Sequence, residues 1–144
     1  GVPFFGFYGL PERLSLQLMK LLGSLPDFRL ERPGELRRPW AYRGQSTHGV
    51  VAYLSLAAAV LDGAREGAAP AGKAIFITTA KDKLANNGTT ARLAKMWGRS
   101  GTEVVQFDFP RDLNVAHNSA DPAADPIRRQ MVYQRMLSLL DERN

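Results

Sequence analysis

Ala74-Ile75-Phe76-Ile77-Thr78-Thr79 and Glu103-Val104-Val105-Gln106-Phe107-Asp108-Phe109 are two short apolar runs, and what stands between them decides the fold. The first is bounded upstream by Pro70 and Gly72, the pattern of a strand buried on both faces. A loop with Asp82 follows. Gly88-Thr89-Thr90 then opens a helical stretch in which Leu93, Ala94, Met96 and Trp97 fall on one side, and Gly98 stands where a helix would stop. Pro110 ends the second run. Two strands joined by one helix form a right-handed crossover, which makes them parallel neighbours with their carboxyl ends on one edge of a sheet. Asp82 and His117, each just past a strand, are therefore expected to converge on that edge, where ligands bind in open α/β sheets.

An acid and a histidine so placed have a chemistry in common. A buried carboxylate that accepts from one imidazole nitrogen fixes the tautomer, and the other nitrogen can then take a proton from a nucleophile. Each residue alone also has an ordinary reading. Aspartate after a strand commonly caps a loop, and a lone histidine is commonly a surface or packed residue. The joint placement favours the functional reading. The segments Thr78-Thr79-Ala80-Lys81-Asp82-Lys83-Leu84-Ala85-Asn86-Asn87 and Asn114-Val115-Ala116-His117-Asn118-Ser119-Ala120-Asp121-Pro122 resemble the last third of an α/β-hydrolase. In that family the triad runs in the order nucleophile, acid, histidine, with the last two on loops after the final strands. The stretch from Pro126 to about Leu140 resembles the terminal helix of that fold. The resemblance covers roughly Trp40 to Asp141, and the part before it is similar in character to a lid.

The chain departs from that family at one place. The nucleophile elbow, Gly-x-Ser-x-Gly on a strand-to-helix turn, does not occur in the 144 residues. Gly44-Gln45-Ser46-Thr47-His48-Gly49 has one residue too many before its second glycine, and no apolar strand precedes it. Ser46 reads better as the N-cap of the helix that follows. The expected architecture is α/β: a lid-like helical region over residues 1–45, then a carboxyl-terminal α/β-hydrolase segment over 46–144 with the last two parallel strands and their helices. By resemblance, the parent reaction is serine-type hydrolysis of an ester or acyl bond in an apolar small molecule. Asp82 would orient His117, and the serine and the oxyanion donors would come from the missing amino-terminal part of the fold. The absence of an initiator methionine before Gly1 agrees with that expectation.

Composition narrows the alternatives. A chain of 144 residues that is 44% hydrophobic can bury one core. The absence of cysteine excludes disulfides and thiol nucleophiles and is compatible with a reducing compartment, so the cytoplasm is the expectation. No uninterrupted run approaches about 18 apolar residues, so no membrane span is expected. His48 and His117 are the only histidines and lie far apart in sequence, so neither a metal nor another cofactor is expected. The net charge of +5 raises nucleic-acid binding, through Arg29, Arg32, Arg37, Arg38 and Arg43 interleaved with Trp40 and Tyr42. Asp27, Glu31 and Glu35 among the same arginines blunt that potential. A non-catalytic binding module, for a protein or a nucleic acid, is the alternative to the hydrolase reading.

Outside the two strands the pattern is helical. Leu14, Leu18, Leu21, Leu22 and Leu25 repeat at three and four residues, with Leu16 and Met19 beside them, as a core face or the oily side of a lid helix. Pro26 to Pro39 reads as a charged loop. Val50, Tyr53, Leu54, Ala57, Ala58 and Leu61 mark a second helix that Gly63 is placed to stop. The last helix has Asp125 as N-cap and Pro126 as its first residue, with Ile127, Met131, Val132, Met136, Leu137 and Leu140 expected inward. Two strands with apolar faces are marginal alone, and their bare edges predict self-association or pairing with the missing strands.

Overall fold

A computed structural model describes residues 12–31, 44–67, 71–82, 85–117, 120 and 124–141. Among these the chain is mixed α/β, with four helices and a two-stranded parallel sheet. In order, it runs α1 (Glu12–Gly23), β1 (Arg29–Glu31), β2 (Gly44–Ser46), α2 (Thr47–Arg65), β3 (Lys73–Thr79), α3 (Asn87–Arg99), β4 (Glu103–Phe109), a 3-10 turn (Arg111–Leu113) and α4 (Pro126–Asp141). It divides into two compact units, one reaching to Leu61 and the other running from Asp62.

In the second unit β3 and β4 pair in parallel, Lys73 opposite Glu103 through Thr79 opposite Phe109, with α3 as the crossover. Alternation along the strands sends Phe76 and Val104 to one face and Ile77, Phe107 and Phe109 to the other. Helix α3 covers the first face: Trp97 lies 5.5 Å from Phe76 between ring centroids. A Cβ on Gly98 would sit 3.7 Å from Val104. Helix α4 covers the second. Its Val132 is buried with Phe109 and Val115, and Met131, Met136, Ile77 and Phe107 pack around them. Phe107 and Phe109 meet edge to face, with the Arg135 guanidinium 4.3 Å above the Phe107 ring.

The helix ends of this unit follow from their side chains, and they shift the expected boundaries. Asn86 caps α3, its side-chain oxygen accepting from the Thr89 amide at 3.1 Å, so the helix starts at Asn87 and not at Gly88. It runs past Gly98. Gly101, at φ +92°, ends it, with the Gly101 amide donating to the Gly98 carbonyl and the Thr102 amide to the Trp97 carbonyl. Asp125 caps α4 as expected, accepting from the Arg128 amide at 2.9 Å.

Three expectations about burial are corrected. Residues 73–78 of β3 are half-buried instead of enclosed: α3 and α4 lie over the two faces, but among the described residues no further strand flanks the pair at its edges. In α4 the inward stripe is Val132, Met136 and Leu139, while Ile127, Leu137 and Leu140 face outward at 80%, 60% and 58% exposure. The apolar residues of α4 occupy more than one side, so spacing alone did not single out the stripe. In α1, Ser15 and Met19 are buried one turn apart, while Leu14 and Leu21, and Leu25 just past the helix end, are exposed.

The first unit also holds a short antiparallel ribbon where a loop was expected. Arg29 to Glu31 pair with Ser46 to Gly44. Of the five arginines weighed for nucleic-acid binding, Arg29 alone lies among the described residues. Helix α2 continues through Gly63 to Arg65, and Gly67, at φ +88°, follows its end. A mid-helix glycine costs about 1 kcal/mol relative to alanine, too little to stop nineteen residues of helix. By length and average hydropathy α2 could cross a membrane, a test that uninterrupted runs do not capture. Its buried residues Leu54, Ala57, Leu61 and Ala64 recur at three- and four-residue spacing along one side.

Candidate functional site

The carboxyl ends of β3 and β4 each run into a loop, and a small set of hydrogen bonds joins the two loops. The sheet ladder is extended by one bond at this end, from the Ala80 amide to the Phe109 carbonyl at 3.0 Å. Thr79 is buried, and its hydroxyl donates to the carbonyl of Val115 at 2.6 Å. Its own carbonyl accepts from the Asp82 amide at 3.0 Å and from Asn87 Nδ2 at 2.9 Å. Asp82 is thereby turned back over the strand end.

At that edge His117 Nδ1 lies 2.7 Å from Asp82 Oδ2. The other carboxylate oxygen, Oδ1, accepts from the Ala85 amide at 2.9 Å. The Asp82 side chain is only 7% exposed and that of His117 is 34% exposed, so the acid is shielded while the imidazole reaches solvent. In the neutral imidazole beside an ionised carboxylate, Nδ1 carries the ring proton and donates it to Oδ2, which leaves Nε2 with its lone pair. No described residue is bonded to Nε2. The arrangement can hold one tautomer and present a base outward. Beside it Lys81 Nζ contacts Asn114 Oδ1 at 2.6 Å, and Asn114 takes a left-handed conformation at φ 54°. Asparagine is among the residues that tolerate this conformation best.

The two residues singled out in the sequence are thus brought together by topology, thirty-five positions apart. The supporting residues Thr79, Asn87 and Val115 were missed. In the sequence Thr79 is simply the β-branched end of a strand, and a carbonyl partner thirty-six residues away leaves no mark there.

In the first unit, Ser46 is committed elsewhere. Its Oγ accepts from the Gly49 amide at 3.0 Å, as expected of an N-cap, and donates to Asp27 at 2.8 Å. Asp27 also accepts from Thr47 Oγ1 at 2.9 Å and from the His48 amide at 3.0 Å. The His48 amide and the Ser46 and Thr47 hydroxyls lower the Asp27 pKa to about 2. His48 Nε2 donates to the Leu25 carbonyl at 2.9 Å. This network closes the start of α2, and it occupies the hydroxyl that a nucleophile would need. Among the described residues no group of three or more His, Asp or Glu side chains is placed to hold a metal ion. No protein-family model, curated protein or solved structure matches the chain.

Proposed function

We propose that this chain supplies the acid and the general base of a serine-type hydrolase of the α/β-hydrolase kind, acting on ester or similar acyl bonds. The observation that carries the reading is the 2.7 Å contact between His117 Nδ1 and a shielded Asp82 carboxylate at the carboxyl edge of a parallel sheet. In this mechanism Asp82 holds the imidazole and stabilises the imidazolium. His117 Nε2 takes the proton of a serine hydroxyl as it attacks the acyl carbon, then returns it to the leaving alcohol. On this reading the serine, the oxyanion donors and further strands are supplied from outside these 144 residues; it is supported by the capture of Ser46 in a helix cap and by the absence of Gly-x-Ser-x-Gly from the sequence.

Two measurements test this. The 144-residue chain alone shows no His117-dependent hydrolysis of a chromogenic ester; turnover abolished by His117→Ala would place the nucleophile inside the chain and overturn the division of labour. Joined to a segment bearing a strand and Gly-x-Ser-x-Gly, encoded upstream, the chain becomes active, and His117→Ala then lowers kcat by about 10²- to 10⁴-fold, the usual contribution of a general base. Unchanged turnover in that variant would end the reading.

A second reading, a protein-binding module, is favoured by the apolar side chains Leu14, Leu21, Leu25 and Phe28, which are 45–60% exposed in the first unit. Capture of a specific partner, undiminished by changing Asp82 or His117 and lost on changing these four, distinguishes it.

A further inference from the structure

The acid and the histidine stand on separate loops, and something must hold those loops in register. The sheet ladder ends with the bond from Ala80 to Phe109, five residues before Asn114 and eight before His117. Beyond it the histidine loop leaves the strand through a 3-10 turn and a left-handed residue, so β4 itself does not fix where the loop goes next. The buried bond from the Thr79 hydroxyl to the Val115 carbonyl bridges that gap. Val115 is itself buried against Phe109 and Val132, two residues before His117. On the acid side the same threonine's carbonyl receives the Asp82 amide and the Asn87 side chain. One residue is therefore bonded to both loops.

We infer that Thr79 is the positioning residue of the Asp82–His117 pair, its hydroxyl fixing the histidine loop while its carbonyl fixes the acid loop. This rests on the hydrolase reading only for its purpose, because the geometry can be tested without turnover. A threonine hydroxyl suits the position for two reasons. It donates to the carbonyl of a buried residue, and its β-branch fits the end of a strand. Valine keeps the shape and removes the donor.

The test is proton NMR of the 144-residue chain, observing the downfield signal of the His117 Nδ1 proton held against the Asp82 carboxylate. The unaltered chain shows this signal. Thr79→Val loses it, or exchanges it with water about tenfold faster, the scale set by one hydrogen bond. Thr79→Ser, which restores the hydroxyl without the methyl, brings it back. Leu93→Ala, a core truncation in α3, lowers stability but leaves the signal in the folded fraction, which separates positioning from a general loss of packing. Retention of a slowly exchanging Nδ1 proton in a folded Thr79→Val chain overturns the inference. If Thr79→Val does not fold, Thr79→Ser decides alone, and loss of the signal there overturns it. Absence of the signal from the unaltered chain removes the pairing itself, and with it both this inference and the hydrolase reading. Its presence together with an inactive joined enzyme removes the hydrolase reading alone.

Discussion

At the scale of single residues, the two carboxylate oxygens of Asp82 have separate partners: Oδ2 meets His117 and Oδ1 meets the Ala85 amide. Asp82→Asn keeps the size but can present an amide N–H to Nδ1, which favours the wrong tautomer. In the joined enzyme kcat is then expected to fall by about 10³- to 10⁴-fold with little change in KM, as steady-state kinetics would show. A rise in KM with kcat unchanged would assign Asp82 to binding instead. Asp27 makes a different prediction, because it works through structure. Its folded pKa of about 2 lies below the unfolded 3.8, so the stabilisation is fully present above about pH 4 and is lost as pH falls toward 2. In urea unfolding, Asp27→Asn should therefore be less stable than the unaltered chain near neutral pH, with the difference shrinking through that acid window. A difference independent of pH would mean that the charge of Asp27 contributes nothing. Asp82 and His117 were legible in the sequence because each follows a strand. Asp27 was not, since its partners Ser46, Thr47 and His48 stand nineteen to twenty-one residues on, across a ribbon read as a loop.

At the scale of elements, β4, its end at Pro110, and the Asp125 cap of α4 were readable locally, because strand pattern, proline and cap each act within a few residues. The ends of α2 and α3 were not. Gly63 and Gly98 look like stops, yet both are helical, and the actual breaks come at Gly67 and Gly101, where positive φ is required. Which of several glycines takes that conformation depends on the bonds that close the turn, and these are formed only after the helix has chosen its length. Opposite outcomes follow for two alanine substitutions. A Cβ at either Gly63 or Gly101 meets nothing within 4 Å, so sterics are equal and backbone conformation decides the sign. Gly63→Ala should stabilise by about 0.5–1 kcal/mol through helix propensity. Gly101→Ala should destabilise by about 1 kcal/mol or more through strain at positive φ. Denaturant titration checks both, and a shared sign would show that something other than conformation governs one of them.

At the scale of the whole chain, the sheet is the part that asks for company. Residues 73–78 of β3 are only half-buried, and among the described residues neither β3 nor β4 has a second strand beside it. A parallel pair is a weak unit by itself, since parallel sheets are stable when both faces and both edges are covered. Here α3 and α4 cover the faces, and the edges remain. Each edge offers a row of backbone donors and acceptors whose pairing with another strand would exclude water from Ile75, Ile77 and Val105. The hydrolase reading assigns that role to central strands encoded elsewhere, and the same edges can pair with those of a second copy. The 144-residue chain is therefore expected to self-associate as its concentration rises, by light scattering, and to become monomeric once joined to the segment that carries the nucleophile. Hydrogen exchange locates the cause: the β3 and β4 amides that point away from the partner strand should exchange freely in dilute solution and slow both on association and on joining. A chain that stays monomeric at high concentration with those amides already protected would mean that the edges are covered from within, and the case for missing strands would fall.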